Sequence, residues 1–360
     1  MKLSDIAAQY GDRFLEKYSQ CLLPGHIKAL QAIQHCRTSA AGMTLLECNS
    51  CGTRDQKLMS CGHRHCKRCQ NTDTSEWLQR QRQKLLPVEY FMVTFTLPAQ
   101  LRNLAWQHQR QVYDLLFRTA ADTLKEFGSN SKKLDAGLGM TGVLHTHSRR
   151  LDYHPHIHFV VPGGGINTRR KEWRKLTGNY LFNGKNLAMV FRAKLLRALD
   201  EQGLLSPSLK TRLPKEWIVN CKRVGKGLPA LEYLSRYLYR GVISDNNILA
   251  SKRGKVTFSY LNSETGKKEK RTLPGEDFLW LVLKHVLPRR LRRSRDYGFL
   301  HSNAKKQLSL VQLVLNVMVK AVEPVIRPKF TCRHCGESMK PPFTTPIRNT
   351  WTRKKCLKFE

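Results

Sequence analysis

A run of eight residues, His154–Val161, begins by alternating histidine with apolar residues and constrains the fold more than any other segment. Side chains of a β-strand alternate between two faces, so His156 and His158 would share one face. Ile157 and Phe159 would then enter a core on the opposite face. Two imidazoles about 6–7 Å apart along a strand can bind one divalent metal ion. The run therefore predicts a strand that belongs to both a core and a metal site.

A third metal ligand is expected from the segment just before this run. Gly139–His147 predicts a second strand, and its two terminal histidines, His145 and His147, again share one face. An antiparallel pairing through the short turn would bring one of the two to the metal. Solvent-facing polar histidines are the alternative, but five histidines within the fourteen residues 145–158 favour the metal site.

A predicted helix, Ala230–Arg240, carries two tyrosines that its apolar face does not need. At about 100° per residue, three leucines share one face of this helix: Leu231, Leu234 and Leu238. Tyr233 and Tyr237 are i, i+4 neighbours on a different face. Tyrosines on helices are commonly amphipathic packing residues, and this pair gains functional weight only beside the histidine strand.

The remaining pattern indicates strands mixed with helices, which is typical of an α+β domain. A β-branched and aromatic run, Val88–Leu97, predicts a strand that Pro98 ends. Further strands are predicted at Trp217–Cys221, Val256–Tyr260 and Arg271–Leu273, the last two as a hairpin. Further helices are predicted at Ala99–Phe127, Asn186–Gln202 and Phe278–Val286.

Cysteines are clustered rather than spread evenly along the chain. Two C-x-x-C knuckles, Cys48 with Cys51 and Cys66 with Cys69, are separated by fourteen residues. Paired knuckles supply the four thiolates that Zn²⁺ prefers in a tetrahedral structural site. The simplest ligand set is these four cysteines, and the alternative is free structural thiols. The nearby residues Cys61, His65 and Cys36 could exchange into that site or build a second one.

A lone knuckle follows near the end of the sequence, formed by Cys332 and Cys335. Its candidate partners are His334 and Cys356. Because no second pair is evident beside it, a second zinc site at this knuckle is left open.

Charge limits the class of partner. The chain has 63 lysines and arginines against 27 acidic residues, a formal net charge of +36 at pH 7. Such an excess favours a polyanionic partner, with nucleic acid first and an anionic membrane second. With 41% hydrophobic residues the chain can build cores, but no apolar run reaches the 18–20 residues that span a bilayer. The N-terminus also shows no secretory signal.

These parts together predict one kind of chemistry. A phenolate can attack a phosphodiester, and the resulting phosphotyrosine conserves the bond energy for rejoining. A divalent metal held by histidines can polarise a phosphate oxygen. Single-stranded DNA would lie along basic and aromatic surface. The residues therefore predict DNA nicking and strand transfer through a tyrosyl intermediate.

With these motifs identified, most of the sequence resembles the HUH-type, two-tyrosine rolling-circle transposases of the insertion-sequence-91 family. Cys48–Gln70 resembles their zinc-binding domain, and Phe95–Pro98 resembles their first core-strand motif. Leu144–His158 resembles their histidine-hydrophobe-histidine motif with its upstream histidine, and Pro162–Gly165 resembles the glycine turn that follows it. Tyr233–Tyr237 resembles their catalytic tyrosine motif, and Cys332–Met339 resembles their C-terminal knuckle.

The resemblance implies roles for individual residues. His156 and His158 would hold a catalytic Mg²⁺ or Mn²⁺, with His145 as the third ligand. The family usually has an aromatic residue at the position of His147, so this histidine stays an alternative ligand. Tyr237 would be the principal nucleophile and Tyr233 the second, and attack would leave a 5′-phosphotyrosine and a free 3′-hydroxyl. Some relatives keep only the tyrosine that matches Tyr237.

The resemblance also implies an architecture. We expect an antiparallel-sheet HUH nuclease core of the α+β class with flanking helices, preceded by a helical zinc-binding domain. The expected boundaries are 1–86 for the zinc-binding domain, 87–300 for the nuclease domain and 301–360 for a basic C-terminal region.

DNA, mainly single-stranded transposon ends and target, is the expected partner, in the cytoplasm of a bacterium and associated with its nucleoid; no membrane contact is expected. Basic residues beside the knuckles, beside the tyrosines and in an arginine-rich segment are expected to bind this DNA. They are Arg64, Lys67, Arg68, Arg236, Arg240, Arg289, Arg290, Arg292 and Arg293. The sequence leaves the oligomeric state open.

Two other functions fit parts of the pattern. A plasmid replication initiator or relaxase would use the same nicking chemistry on a different DNA element. A non-catalytic zinc-ribbon protein would bind DNA without needing Tyr237. A metallohydrolase using activated water is also compatible with the histidines, but it would form no covalent adduct.

Overall fold

In the computed structural model, the histidine run is the central strand of a five-stranded antiparallel sheet. The structure describes residues 1–69, 71–130, 134–176, 181–239, 241–262, 264–318 and 330–341. Contacts between these residues divide the chain into a first unit, 1–34 with 62–325, and a second unit, 35–61 with 326–360.

Helices and strands are numbered here in chain order. The helices are α1 (Leu3–Lys17), α2 (Pro24–His35), α3 (Asn71–Arg82), α4 (Arg102–Gln107), α5 (Gln109–Asn130), α6 (Gly184–Glu201), α7 (Pro207–Thr211), α8 (Leu228–Tyr239), α9 (Gly275–Leu283) and α10 (Lys305–Val314). The strands are β1 (Met43–Cys48), β2 (Arg54–Leu58), β3 (Tyr90–Thr96), β4 (Gly139–His147), β5 (Tyr153–Pro162), β6 (Gly164–Asn167), β7 (Glu172–Lys175), β8 (Val219–Gly225), β9 (Ile248–Lys252), β10 (Lys255–Leu261), β11 (Lys268–Pro274), β12 (Ser294–Gly298), β13 (Phe330–Thr331) and β14 (Ser338–Lys340).

The five-stranded sheet has the order β12-β4-β5-β3-β8. Four of its strands confirm predicted strands, and β4 has the predicted bounds. The edge strand β12 was not predicted, because Ser294–Gly298 overlaps the end of the arginine-rich segment Arg289–Arg295 and shows no apolar alternation. This strand pairs antiparallel with β4, so part of that segment is a structural element of the core.

One face of this sheet is covered by α5 and α6. The ring of Phe95 on β3 lies 5.9 Å from that of Phe159 and 4.9 Å from that of Phe191 on α6. Ile157, Phe159 and Phe95 are fully buried, as the alternation predicts. Burial of this face anchors β5 in the sheet, so the positions of the histidines on its other face are set by the core.

The opposite face of the sheet packs against α8. Leu231, Leu234 and Leu238 are buried in one cluster with Val143 and Val160, which confirms the predicted leucine face. The helix follows Gly227, whose φ of 78° is left-handed and therefore suits glycine. A Cβ there would also lie 2.6 Å from the ring of Tyr90. Helix α8 thus covers the face of the sheet that carries the histidines.

A three-stranded sheet, β11-β10-β9, packs against α1 and α9. Ile6 and Phe14 of α1 are buried in the same cluster as Phe258 and Phe278. Residues 1–34 therefore belong to the first unit, with the five-stranded sheet, and this unit does not follow the predicted boundary at 86.

The second unit contains a four-stranded sheet in the order β13-β14-β1-β2. Strand β14 pairs antiparallel with β1, so that Met339 lies opposite Cys48. Residues 35–61 and the described C-terminal residues 330–341 thus form one unit, which neither predicted boundary, at 86 or at 300, anticipates.

Candidate active site and metal centres

Three histidines converge on the face of the central sheet below α8. The antiparallel register of β4 and β5 places His145 opposite His156, and His158 lies two residues further along β5. One ring nitrogen from each of the three lies within 4.8 Å of the other two. This spacing suits a single divalent ion bound by all three imidazoles.

Hydrogen bonds orient two of the three rings. Nδ1 of His156 donates to the backbone carbonyl of His154 at 2.7 Å, and Nδ1 of His158 is 2.8 Å from the Thr94 hydroxyl. With Nδ1 engaged in each ring, Nε2 is the nitrogen that would bind a metal. Thr94 was not singled out in the sequence, although the Val93-Thr94-Phe95-Thr96 alternation of β3 places it on the histidine face.

Burial keeps the three imidazoles neutral. It lowers the pKa of His156 to about 3, with a further effect of the neighbouring His158, and it lowers the pKa of His158 to about 4. The pKa of His145 is also well below its usual value, first through burial and then through His158 and His156. A neutral imidazole is the form that binds metal. The three nitrogen donors would leave further coordination positions for the water and phosphate oxygens that Mg²⁺ and Mn²⁺ prefer.

The side chain of His147 lies in different surroundings from that of His145. The register of β4 and β5 shifts between these two residues, and His147 faces a buried histidine, His285, at a ring distance of 5.3 Å. The structure therefore groups His145, and not His147, with the pair on β5.

Helix α8 brings a tyrosine to this cluster. Tyr233 is half-buried, and its ring lies 6.3 Å from the ring of His158 at nearly a right angle. Tyr237 lies one turn further along the helix backbone. The side chains of Tyr237 and Arg236, and the whole of Arg240, lie outside the described residues.

Several basic residues expected to bind DNA make structural contacts instead. The guanidinium of Arg64 donates to the carbonyls of Leu287, Pro288 and Leu291 at 3.1–3.3 Å. Lys67 forms an ion pair with Asp245, with 3.3 Å between Nζ and Oδ1. Much of the hydrogen-bonding capacity of these two side chains therefore serves the fold of the first unit.

The arginine-rich segment divides in the same way. Arg293 donates to the carbonyls of Leu144 and Leu238 at 3.2 Å each, which ties β12 to β4 and to the end of α8. By contrast, Arg289, Arg290 and Arg292 are exposed, as is Arg68 beside the second knuckle. Sequence alone could not separate these two groups, because the difference depends on the pairing of β12.

Cysteines of the second unit form a four-thiol group: Cys48, Cys51, Cys332 and Cys335. The Sγ atoms of Cys48 and Cys335 are 3.5 Å apart, and those of Cys51 and Cys332 are 3.7 Å apart. All four sulfur atoms lie within 4.8 Å of one another. A closed set of four thiols fits a structural zinc ion.

This group corrects the predicted ligand set. Cys48 and Cys51 were expected to join Cys66 and Cys69, but the pairing of β14 with β1 brings them to the C-terminal knuckle instead. A sequence signal for this partner exists: both knuckles are followed by a glycine, Gly52 and Gly336, with φ of 70° and 78°. In contrast, Cys69 is followed by Gln70.

Of the remaining cysteines of the N-terminal cluster, Cys66 and Cys69 belong to the first unit, and Cys36 and Cys61 belong to the second. His65 was expected as a further ligand, but its Nε2 accepts from the backbone N–H of Leu287 at 3.4 Å.

In the part of the chain that the structure describes, no helix combines the length and the apolar character needed to cross a membrane.

Comparison with known proteins gives matches over both halves of the chain. A family model described as "Transposase zinc-binding domain", of the IS91 type, matches residues 6–97, and one described as "Putative transposase" matches residues 139–307. "Putative transposase y4qJ" of Sinorhizobium fredii (strain NBRC 101917 / NGR234) is 33% identical over 349 residues, which cover 91% of this chain and 87% of that protein.

Two further similarities are more distant. The transposase for insertion sequence element IS801 of Pseudomonas savastanoi pv. phaseolicola is 29% identical over 282 residues, which cover 74% of this chain and 68% of that protein. A solved structure of the conjugative relaxase TrwC in complex with mutant OriT DNA aligns with 63% of this chain and 74% of its own. Its TM-score of 0.28 and identity of 15% are too low to support a conclusion.

Proposed function

Because the chain belongs to the insertion-sequence-91 (IS91) family of transposases, we propose that it nicks and joins single-stranded DNA through a tyrosine, as rolling-circle transposition requires. The observation that supports this most is the convergence of three histidine nitrogens within 4.8 Å beside a tyrosine-bearing helix. A metal site and a nucleophile on adjacent elements are what covalent phosphoryl transfer needs.

His145, His156 and His158 would hold the divalent cation, Mg²⁺ or Mn²⁺. When bound, the cation polarises a non-bridging oxygen of the scissile phosphate and orients that phosphate. The protein's own contribution is to hold the rings: the His154 carbonyl and the Thr94 hydroxyl fix Nδ1 of the two β5 histidines. Such outer hydrogen bonds keep the metal-binding nitrogens in position.

Tyr237 is the proposed principal nucleophile. Its phenolic oxygen, having lost its proton, bonds to the phosphorus while the bond from phosphorus to the 3′ oxygen breaks. The 3′ oxygen takes up a proton, and the 5′ phosphate stays on the tyrosine. In the joining step, the 3′-hydroxyl of another strand attacks this phosphotyrosine and releases the phenol.

Tyr233 is the proposed second nucleophile. Two tyrosines would let one covalent end be held while a second strand is cut. The nearness of the Tyr233 ring to His158 supports a place for it in the site.

Zinc is the proposed ion at the four-thiol group of the second unit, with a structural role, and Cys66 and Cys69 stay proposed zinc ligands on sequence grounds. The match to a transposase zinc-binding domain and the four-thiol geometry both support Zn²⁺. Elsewhere in the first unit, the exposed Arg68, Arg289, Arg290 and Arg292 are the proposed contacts to the DNA backbone. Arg236 and Arg240, near the tyrosines in the sequence, stay proposed contacts on sequence grounds.

Two alternatives lead to different observations. A replication initiator or relaxase would share the nicking chemistry, and the family membership disfavours it. Terminal hairpins and a short target sequence flanking the gene would identify a transposable element. A non-catalytic zinc-ribbon protein would bind DNA with no covalent product.

The test is adduct formation. Protein is incubated with single-stranded transposon-end DNA and Mg²⁺ or Mn²⁺, resolved on a denaturing gel, and the attached residue is mapped by mass spectrometry. We expect a metal-dependent adduct on Tyr237 that Tyr237→Phe loses while DNA binding is kept. Tyr260→Phe is the matched control, because the Tyr260 hydroxyl donates to Glu269 in a different sheet. An adduct that persists in Tyr237→Phe and maps elsewhere would refute the assignment.

A further inference from the structure

The outer face of the three-stranded sheet β9–β11 carries lysines that the chemistry above does not use. Val256 and Phe258 point to the core and are fully buried, so alternate residues of β10 face outward. The register places four exposed lysines on that outward face: Lys252, Lys255, Lys268 and Lys270.

Within the described residues of the three strands, the outward face carries no acidic side chain. The three strands contain one acidic residue, Glu269, and it lies on the inner face. Its carboxylate accepts from the Tyr260 hydroxyl and from the Asn262 amide at 2.6 Å each. On the same inner side, Arg271 forms an ion pair with Asp152 at 3.1 Å. Glu269 and Arg271, the charged side chains with these partners, therefore lie on the inner face of the sheet, and the four lysines lie on the outer face.

The arrangement is not what fold stability alone would favour. Lys252 and Lys255 lie directly opposite each other on paired strands, and like charges in that relation destabilise a sheet. Lysines on edge strands protect against edge-to-edge aggregation. That explanation covers β9 and β11 but not Lys255, which lies on the central strand β10.

Hydroxyl groups lie between the lysines. Thr257 and Thr272 face each other with 2.9 Å between their Oγ1 atoms, and Ser259 lies two residues further along β10. Hydroxyls and lysines are the usual partners of phosphate oxygens. Lys270 and Lys268 on β11 lie opposite Ser259 and Leu261 of β10. These two positions are four and six residues from Lys255, which is about 14 and 20 Å along the strand. When the length of the lysine side chains is allowed for, these distances between lysines are comparable with the distance between the two phosphate backbones that border a major groove about 12 Å wide.

We propose that this lysine face, defined by Lys252, Lys255, Lys268 and Lys270, binds the phosphate backbone of double-stranded DNA without sequence preference. The proposal rests on the proposed function only in taking DNA as the polyanion. It adds a contact to duplex DNA that is independent of the nicking site, where the bound DNA is single-stranded.

The experiment measures the salt dependence of binding. A duplex of arbitrary sequence is titrated by fluorescence anisotropy between roughly 50 and 200 mM salt, a range over which phosphate contacts dominate affinity. Replacing all four lysines with glutamine should reduce the slope of log K against log salt by about 3 to 4, since each phosphate contact contributes about 0.9. The matched control, with glutamine at the exposed Lys28, Lys210, Lys215 and Lys306, removes the same charge from other elements. Its slope should change by less than about 1.

Three outcomes would count against the lysine face. Equal slope changes in both variants would show only a general effect of charge. No slope change in either variant would show that the lysine face does not bind duplex DNA. A reduced slope on single-stranded DNA but not on the duplex would refute the duplex assignment. Adduct formation on a short single-stranded oligonucleotide is measured on the same preparations. A missing adduct in the unsubstituted protein, with the slope change still present, would count against the nicking function alone.

Discussion

The histidine cluster and the four-thiol group of the second unit are both candidate metal centres, but they are assembled in opposite ways. The three histidines come from two strands joined by a short turn, within residues 145–158. Cys48 and Cys335 are 287 positions apart. Around a bound ion, the three histidines would leave coordination positions for substrate, whereas four thiols would fill them. A site built locally can be predicted from alternation, but alternation does not show which distant strands pair.

The largest expected effect concerns the closed centre. Cys335→Ala should remove one zinc ion per chain, measured by elemental analysis, and should unfold the second unit. Zinc binding at such sites contributes on the order of 10–16 kcal/mol, so the unit depends on it. Cys21→Ala is the control, because Cys21 is exposed and is not one of the four thiols of this centre.

The double variant Cys48→Ala/Cys335→Ala sharpens this result. It should lose no more zinc than either single variant, because both residues belong to one site. If Cys48→Ala and Cys335→Ala each removed a different ion, the structural grouping would be wrong and the knuckle pairing expected from sequence would be restored.

The next effect concerns the open centre. His156→Ala should lower metal-dependent adduct formation roughly a hundredfold or more, because the metal stabilises transition-state charge by several kcal/mol. The zinc content should not change. His147→Ala is the matched variant: it removes a buried histidine of the same strand pair that faces His285 instead of the cluster. Adduct formation by His147→Ala, after correction for the folded fraction from circular dichroism, should stay within a few-fold of the unsubstituted protein. If His147→Ala lost more adduct formation than His156→Ala, His147 would be the metal ligand.

These two centres also show how far sequence reasoning reaches. The histidine strand, its antiparallel neighbour and the leucine face of α8 follow from local periodicity, which the core enforces. Strand β12 and the pairing of β14 with β1 depend on contacts between distant segments. No local pattern in the arginine-rich segment distinguishes Arg293, which ties β12 to β4, from the exposed Arg292. The glycines after two of the three knuckles were a sign in the sequence of the cysteines that the structure brings together.

A smaller effect tests the hydrogen bond behind the open centre. Thr94→Val removes the hydroxyl 2.8 Å from Nδ1 of His158 while keeping the shape of the side chain. Loss of such a partner weakens metal affinity about 10- to 100-fold. The Mn²⁺ concentration that gives half-maximal adduct should rise by that factor, with the maximum nearly unchanged. Thr96→Val, on the same strand and equally half-buried, is the control. An equal rise in both variants would mean that the threonines act through packing rather than through the histidine.

The smallest effect lies in the backbone of the closed centre. Gly52 and Gly336 each follow the second cysteine of a knuckle with left-handed φ, and a Cβ at either position would meet no atom within 4 Å. Alanine there adds no clash but must adopt a conformation that costs about 1–2 kcal/mol. Gly52→Ala and Gly336→Ala should therefore destabilise the second unit by similar amounts in chemical denaturation, without changing the zinc stoichiometry. The two knuckles occupy equivalent positions around one ion. A large difference in destabilisation between the two variants would therefore show that the knuckles contribute unequally to the stability of the second unit. Loss of zinc from only one variant would place that knuckle outside the four-thiol site.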